Sequence, residues 1–205
     1  MKKLKEFHHL FLVLVLSSAI NLIFAQESIL EKFSVTEFDN KVLLSWTVKS
    51  GNTCNGIRIY RSSDSLIYSE IGDIQGVCGS AEFSVHYSFT DNQPVKNSKN
   101  YYRLNLGGIE VFNSSGVEVI DVGKLNYFLK SNPIVDKSDL HFNNSSNKSV
   151  QLHIFAINGI LLQKMTTLEE MFTIDAISLP NGLYYFQLST ENNQTTISDK
   201  FQVVH

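Results

Sequence analysis

The stretch "KVLLSWTV" (residues 41–48) decides the fold class. Val42, Leu44, Trp46 and Val48 fall on alternate positions, while Lys41, Ser45 and Thr47 fall between them. A period of two is that of a strand with one side chain row on a core and the other in water. The same grammar recurs outward from it, in "GIRIYRS" (56–62), "SVHYSFTD" (84–91), "NYYRLNL" (100–106) and "SSGVEVIDV" (114–122). Each run is bounded by Gly, Asn, Asp or Ser, and helical periodicity is scarce, so the pattern predicts an all-β chain.

The composition shifts around "GKLNYFLKSNPIVDKSD" (123–139), and a second series of strands begins. "DLHF" (139–142) precedes the polar loop "NNSSNKS" (143–149), and "VQLHIFAINGILLQKM" (150–165) places two apolar runs around Asn158-Gly159. Asn-Gly between such runs predicts a hairpin with a two-residue type I′ turn. "MFTIDAISL" (171–179), "SLPNGLYYFQLS" (178–189), the turn "TENNQ" (190–194) and "TTISDKFQVV" (195–204) complete the series. Pro180-Asn181-Gly182 reads as a tight turn with Gly182 at positive φ. Beyond it Tyr184, Phe186 and Leu188 share one face; Tyr185 and Gln187 share the other, which leaves Tyr185 either to a partner or to folding alone. No sequence repeat is evident. The expected layout is a leader over residues 1–25, one sandwich over 26–123 and another over 124–205, with the boundary near Val122 to Asn126.

The leader reading rests on the order of its parts. Lys2, Lys3 and Lys5 precede the apolar run Leu10–Leu16, then small residues Ser17, Ser18 and Ala19, with Ala25 just before Gln26. This is the layout of a secretory signal peptide cleaved near Ala25; its apolar core is short of the roughly 20 residues of a membrane span. Residues 1–25 carry three of the 17 basic and one of the 20 acidic side chains, leaving 14 against 19. That balance argues against a nucleic-acid partner. Cys54 and Cys78, an even count in an exported chain, predict a disulfide. Paired metal thiolates would need further ligands, and only His86 lies close in sequence.

Little else in the chain suggests chemistry. His86, His141, His153 and His205 stand in no HExxH, GxSxG or Walker-type context. Cys54 with His86 as a nucleophilic pair conflicts with the disulfide, and Asp136 with Asp139 falls short of the 6–8 oxygens of a calcium site. The expectation is therefore no catalytic residue, no metal and no cofactor.

Two resemblances add to this reading. Trp46, Tyr60 and Tyr102, on three successive candidate strands, resemble the core aromatics of a fibronectin type III domain over roughly residues 28–122. Most such domains lack the pair Cys54 and Cys78. The three segments "SNPIVDKSDLHF", "VQLHIFAINGILLQKM" and "ISLPNGLYYFQLSTENNQTTISDKFQVV" resemble, in order, the blocks of a type IX secretion C-terminal sorting domain of type A. The family's positions fall on Asn132-Pro133, then Gly159, then Leu179, Gly182, Tyr184 and Lys200, the last followed by Phe201–Val203. Lys130-Ser131 stands where the family often has an aromatic and a first proline.

The resemblances imply two consecutive immunoglobulin-like, fibronectin type III-like sandwiches. They imply a route through the periplasm of a Gram-negative bacterium to an outer-membrane translocon, a surface sorting protease, and release or attachment to a surface glycolipid. The expected function is that of a non-catalytic secreted or cell-surface protein. Its first half is cargo or an interaction module; the alternative is an accessory glycan- or peptide-binding adhesion protein.

Overall fold

The computed structural model describes residues 28–190 and 195–205. The expected leader, and all of the turn 190–194 beyond Thr190, lie outside the described residues. The first half holds seven strands: β1 (Leu30–Phe38), β2 (Lys41–Val48), β3 (Asn52–Ser62), β4 (Ser69–Ser80), β5 (Val85–Asp91), β6 (Ser98–Leu106) and β7 (Ile109–Val119). A short 3-10 turn at Gly123–Leu125 follows. The second half holds β8 (Tyr127–Leu129), β9 (Lys137–Phe142), β10 (Val150–Ala156), β11 (Leu161–Thr167), β12 (Met171–Asp175), β13 (Gly182–Thr190) and β14 (Thr195–Val203).

Strands β1-β2-β5 form one sheet and β4-β3-β6-β7 another; in the second half the orders are β12-β9-β8 and β11-β10-β13-β14. Adding seven to each strand number of the first half reproduces the second. The two halves are thus one topology used twice, although the sequence shows no repeat. All ladders within these sheets are antiparallel. Each half is an all-β sandwich whose two sheets enclose an apolar filling, as the alternating strands predict.

In the first sandwich Val42, Leu44, Trp46 and Val48 are fully buried, with Ile57, Ile59, Tyr102 and Leu104 facing them from the second sheet. Trp46 stacks on Tyr87 at 6.0 Å and meets the ring of Phe33 edge-on at 6.4 Å. Tyr60 departs from the expectation of a core aromatic. Ile57 and Ile59 take the inward positions of β3, so the period of two turns Arg58 and Tyr60 outward. There the guanidinium of Arg103 lies 4.6 Å from the Tyr60 ring centre. In the second sandwich Leu140, Leu152, Ile154, Ile174, Phe186 and Phe201 form the centre of the core. Burying a side chain of this size contributes about 1.5–3 kcal/mol against leaving it in water.

Two turns differ from their sequence reading. The β10–β11 hairpin exists, but Gly159 N–H donates to Ala156 O (2.9 Å) and Ala156 N–H to Ile160 O (2.9 Å). Only Gly159 has positive φ (85°); Asn158 does not. This is a three-residue loop with glycine at its left-handed position instead of type I′, and Asn158 uses its side chain to accept from Ile160 N–H (3.2 Å). The second turn closes at Ala176–Leu179, where Leu179 N–H donates to Ala176 O (2.9 Å), ahead of the expected Pro180-Asn181-Gly182 turn. Gly182 is not at positive φ: it already lies in the β13 ladder opposite Val203. A Cβ placed there would meet only the Tyr184 ring, at 3.9 Å.

Candidate functional site

The three C-terminal blocks meet at one end of the second sandwich. Asn132 Oδ1 accepts from Gln202 N–H (2.9 Å), Ile134 N–H donates to Gln202 O (2.7 Å), and Val204 N–H donates to Ile134 O (3.0 Å). Ile134, fully buried, forms a parallel bridge with Val203. The Asn132-Pro133 peptide is cis and exposed. The first block is therefore stitched onto the final strand, nearly 70 residues away.

In the third block, Leu179 is buried, and the Tyr184 hydroxyl donates to Pro180 O (2.6 Å) while its ring stacks on Phe201 at 5.6 Å. A tyrosine near the start of a strand whose hydroxyl bonds the backbone a few residues upstream is the corner device of immunoglobulin-type sandwiches. Its counterpart in the first half is Tyr102 on β6, whose hydroxyl donates to Asp91 Oδ2 (2.9 Å); Arg61 Nη1 holds the same oxygen at 2.8 Å. Burial, first, and the Asp91 charge push the Tyr102 hydroxyl far above its ordinary pKa. The last residue is also tied in. His205 N–H donates to Asn181 Oδ1 (2.8 Å), and its Nε2 lies 2.9 Å from Leu179 O. Leu179 O can only accept, so Nε2 carries the proton.

The outward face of β11-β10-β13-β14 is chemically different. Leu161, Phe155, Tyr185 and Lys200 are directly opposite one another across four strands, and opposed residues point to the same side of a sheet. Ile157 (68% exposed), Ile160, Leu161 and Leu162 make the adjoining hairpin apolar and open to solvent. A groove of about 630 Å³ runs between them, lined by Phe155, Ile157, Gly159, Tyr185, Asp199 and Lys200. The Tyr127 hydroxyl donates to Asp199 Oδ2, linking the two sheets beside this groove. Burial and the Asp199 bond push Tyr127 up to about 12, and the same bond holds the Asp199 carboxyl low.

The expected positions thus divide by task. Leu179 and Tyr184 are buried and hold the fold; Asn132 clamps the terminal strand; Gly159 shapes the apolar hairpin; Lys200 and the neighbouring Tyr185 face water. Sequence reasoning missed Asn181, His205 and the Tyr127–Asp199 link, since single polar residues carry no periodic signal. It also passed over Asn144 within the polar loop. This buried side chain donates to Lys148 O and Leu168 O (both 2.9 Å) and accepts from Lys148 N–H (3.1 Å).

Elsewhere Cys54 and Cys78 are joined, opposite one another on β3 and β4, as expected. Asp139 accepts from Thr173 Oγ1 (2.8 Å). A cleft of about 680 Å³ lies where the sandwiches meet, and gathers Glu37, Asp39, Glu118, Asp121 and Glu170 beside His141. Glu118 pairs with Lys130 there, at 2.9 Å. Among the described residues no group of three or more His, Cys, Asp or Glu could hold a metal ion, and no helix is long and apolar enough to cross a membrane.

Comparison with known proteins bears on the stitched end. Residues 131–203 match the secretion system C-terminal sorting domain family. The matched range starts one residue before Asn132 and stops at Val203, the two ends of the clamp. The match agrees with the sorting domain that the three blocks resemble, and likeness to such a tail indicates export to the cell surface or beyond. Similar solved structures include dimeric latent PorU from Porphyromonas gingivalis, at 14% identity over 85% of this chain and 20% of that one (TM-score 0.31). Another is the BSP domain of a biofilm associated protein, at 14% identity over 86% of this chain and 30% of that one (TM-score 0.30). The chain spans a third or less of either. No curated protein matches.

Proposed function

We propose that this is a non-catalytic secreted or surface protein that crosses the inner membrane behind its leader and the outer membrane through the type IX translocon. The second sandwich is the address. The first, fibronectin type III-like, is the cargo or an interaction module. A surface sorting protease then removes the sorting sandwich, and the cargo is released or attached to a surface glycolipid. The observation that carries the reading is the stitched end, where all three blocks form one folded unit and an apolar face is left open beside it. Exposed contiguous apolar surface on a soluble domain marks an interaction site, and here it offers the translocon a rigid landing face. The three- and four-stranded sheets of the first half, with Trp46 and Tyr102 in the core, support the fibronectin-like assignment.

The test is deletion of residues 127–205 in a host with this secretion system. The truncated chain is expected to stay in the periplasm while the intact chain reaches the surface or the medium. Normal export of the truncated chain would overturn the assignment.

A further inference from the structure

The outer face of β4-β3-β6-β7 carries a second feature that export does not need. Two irregularities lie side by side there. The β3–β4 register slips between Asn55 and Ile57, where Gly56 (φ 77°) sits opposite Gln75 and Gly76 (φ 91°). The β6–β7 hairpin turns on Gly107 and Gly108 beside it. Four residues without side chains at one place leave a depression of about 560 Å³, within the roughly 300–1,000 Å³ of small-ligand clefts. Its polar rim is formed by Asn55, Arg58, Asp73, Gln75 and Asn105. Asp73, Arg58 and Asn105 stand opposite one another across three strands. Asn105 Oδ1 accepts from Gly108 N–H (2.8 Å), which fixes the amide with its NH₂ as the remaining donor.

One row further along the same face come Tyr60 and Arg103, with the Arg103 guanidinium between the rings of Tyr60 (4.6 Å) and Tyr68 (4.9 Å) and paired to Glu110 at 3.2 Å. The Tyr60 hydroxyl, first, and the charges of Glu70 and Asp73 raise the pKa of Arg58, tying the rim to the aromatic row. The combination is planar rings beside a carboxylate, three amides and a guanidinium, with Asn55, Arg58, Asp73 and Gln75 exposed and Tyr60, Tyr68 and Asn105 half-buried.

We infer that this depression and its tyrosine row form a glycan-binding site that takes a short stretch of oligosaccharide on the first sandwich. The chemistry favours a sugar over other ligands. A rim of side-chain amides, a carboxylate and a guanidinium supplies paired donors and acceptors for adjacent hydroxyls, and aromatic faces suit the apolar faces of pyranose rings. The apolar lining that captures hydrophobic small molecules is absent from the rim. An extended peptide would need a regular strand edge, and the slip at Gly56 and Gly76 interrupts the β4 edge beside the depression.

The experiment is NMR titration of the full mature chain with cellohexaose, chitohexaose, mannohexaose and a hexamer of galacturonic acid, followed at amides 54–60, 72–77 and 103–109. At least one sugar is expected to give saturable shifts confined to these residues. Asp73→Ala and Gln75→Ala, both exposed positions that leave the core intact, are each expected to weaken it by tenfold or more, and Glu169→Ala, exposed on the far sandwich, to leave it unchanged. The proposal is overturned if none of the four sugars shifts these amides at about 10 mM. It is equally overturned if binding survives both rim variants while their melting temperatures match the parent.

Discussion

The corner at Tyr184 allows a clean separation of folding from recognition. Tyr184→Phe removes one oxygen and nothing else: the ring keeps its stack on Phe201 and its place in the core. What is lost is the 2.6 Å bond to Pro180 O, which leaves a part-buried carbonyl without that donor. A neutral hydrogen bond contributes about 0.5–1.5 kcal/mol net, and an orphaned buried acceptor costs about 1–3 kcal/mol. The expected loss is therefore about 1.5 kcal/mol. With a urea slope of roughly 2 kcal/mol/M, the midpoint falls by about 0.7 M at unchanged slope. Urea unfolding followed by fluorescence reads this directly. Tyr185→Phe on the exposed face is the control and is expected to move the midpoint by less than about 0.2 M, because exposed substitutions lie within about 0.5 kcal/mol. Export of the Tyr184→Phe chain is expected to fall only in proportion to its unfolded fraction. If stability is unchanged while export is abolished, Tyr184 is read by a partner and the corner argument fails.

The two glycines of the sorting blocks should behave oppositely. Gly159→Ala, at φ 85°, is expected to cost about 1 kcal/mol, whereas Gly182→Ala, in the strand and meeting only the Tyr184 ring at ordinary contact distance, stays within about 0.5 kcal/mol; equal losses by chemical denaturation would contradict the turn geometry. Reducing Cys54–Cys78, which closes a loop with a sequence separation of 24, is expected to cost about 3.5 kcal/mol through the unfolded chain. A melting temperature indifferent to dithiothreitol would refute that. His141 stacks on Phe128 with its Nε2 buried, and burial, first, lowers its pKa against the raising charges of Asp139 and Glu118, with Lys130 also lowering it. Glu37, Asp39, Asp121 and Glu170 line the same cleft. Because the unfolded imidazole protonates first, its contribution is present above about pH 6.5 and is lost as pH falls through the folded value. His141→Gln is expected to flatten the fall in melting temperature just below pH 6.5, and an identical pH profile would refute the assignment.

Strands that alternate were legible from sequence because burial on one face imposes the period directly; Val42 to Val48 and Tyr184 to Leu188 are the clearest cases. Strand β4 was not, since Gly72, Gly76 and Gly79 interrupt its apolar pattern. Tyr60 was misplaced because tyrosine suits either face of a strand, and only its phase against Ile57 and Ile59 decides. At the candidate site, order and spacing pointed to Asn132, Leu179 and Tyr184 but not to their partners. Asn132 meets Gln202 and His205 meets Leu179 through closure of the fold, which local pattern does not encode. The duplicated topology escaped notice for a related reason: strand order is a property of connections and burial, and two unrelated apolar alternations can satisfy it.

The stitch between Asn132, Ile134 and residues 202–204 has a consequence for synthesis. Asn132 and Ile134, which emerge from the ribosome early in the second sandwich, can complete these bonds only when residues 202–204 have followed. A chain without residues 202–204 lacks the seam altogether. The order of the region that matches the sorting domain is thereby coupled to the presence of residues 202–204.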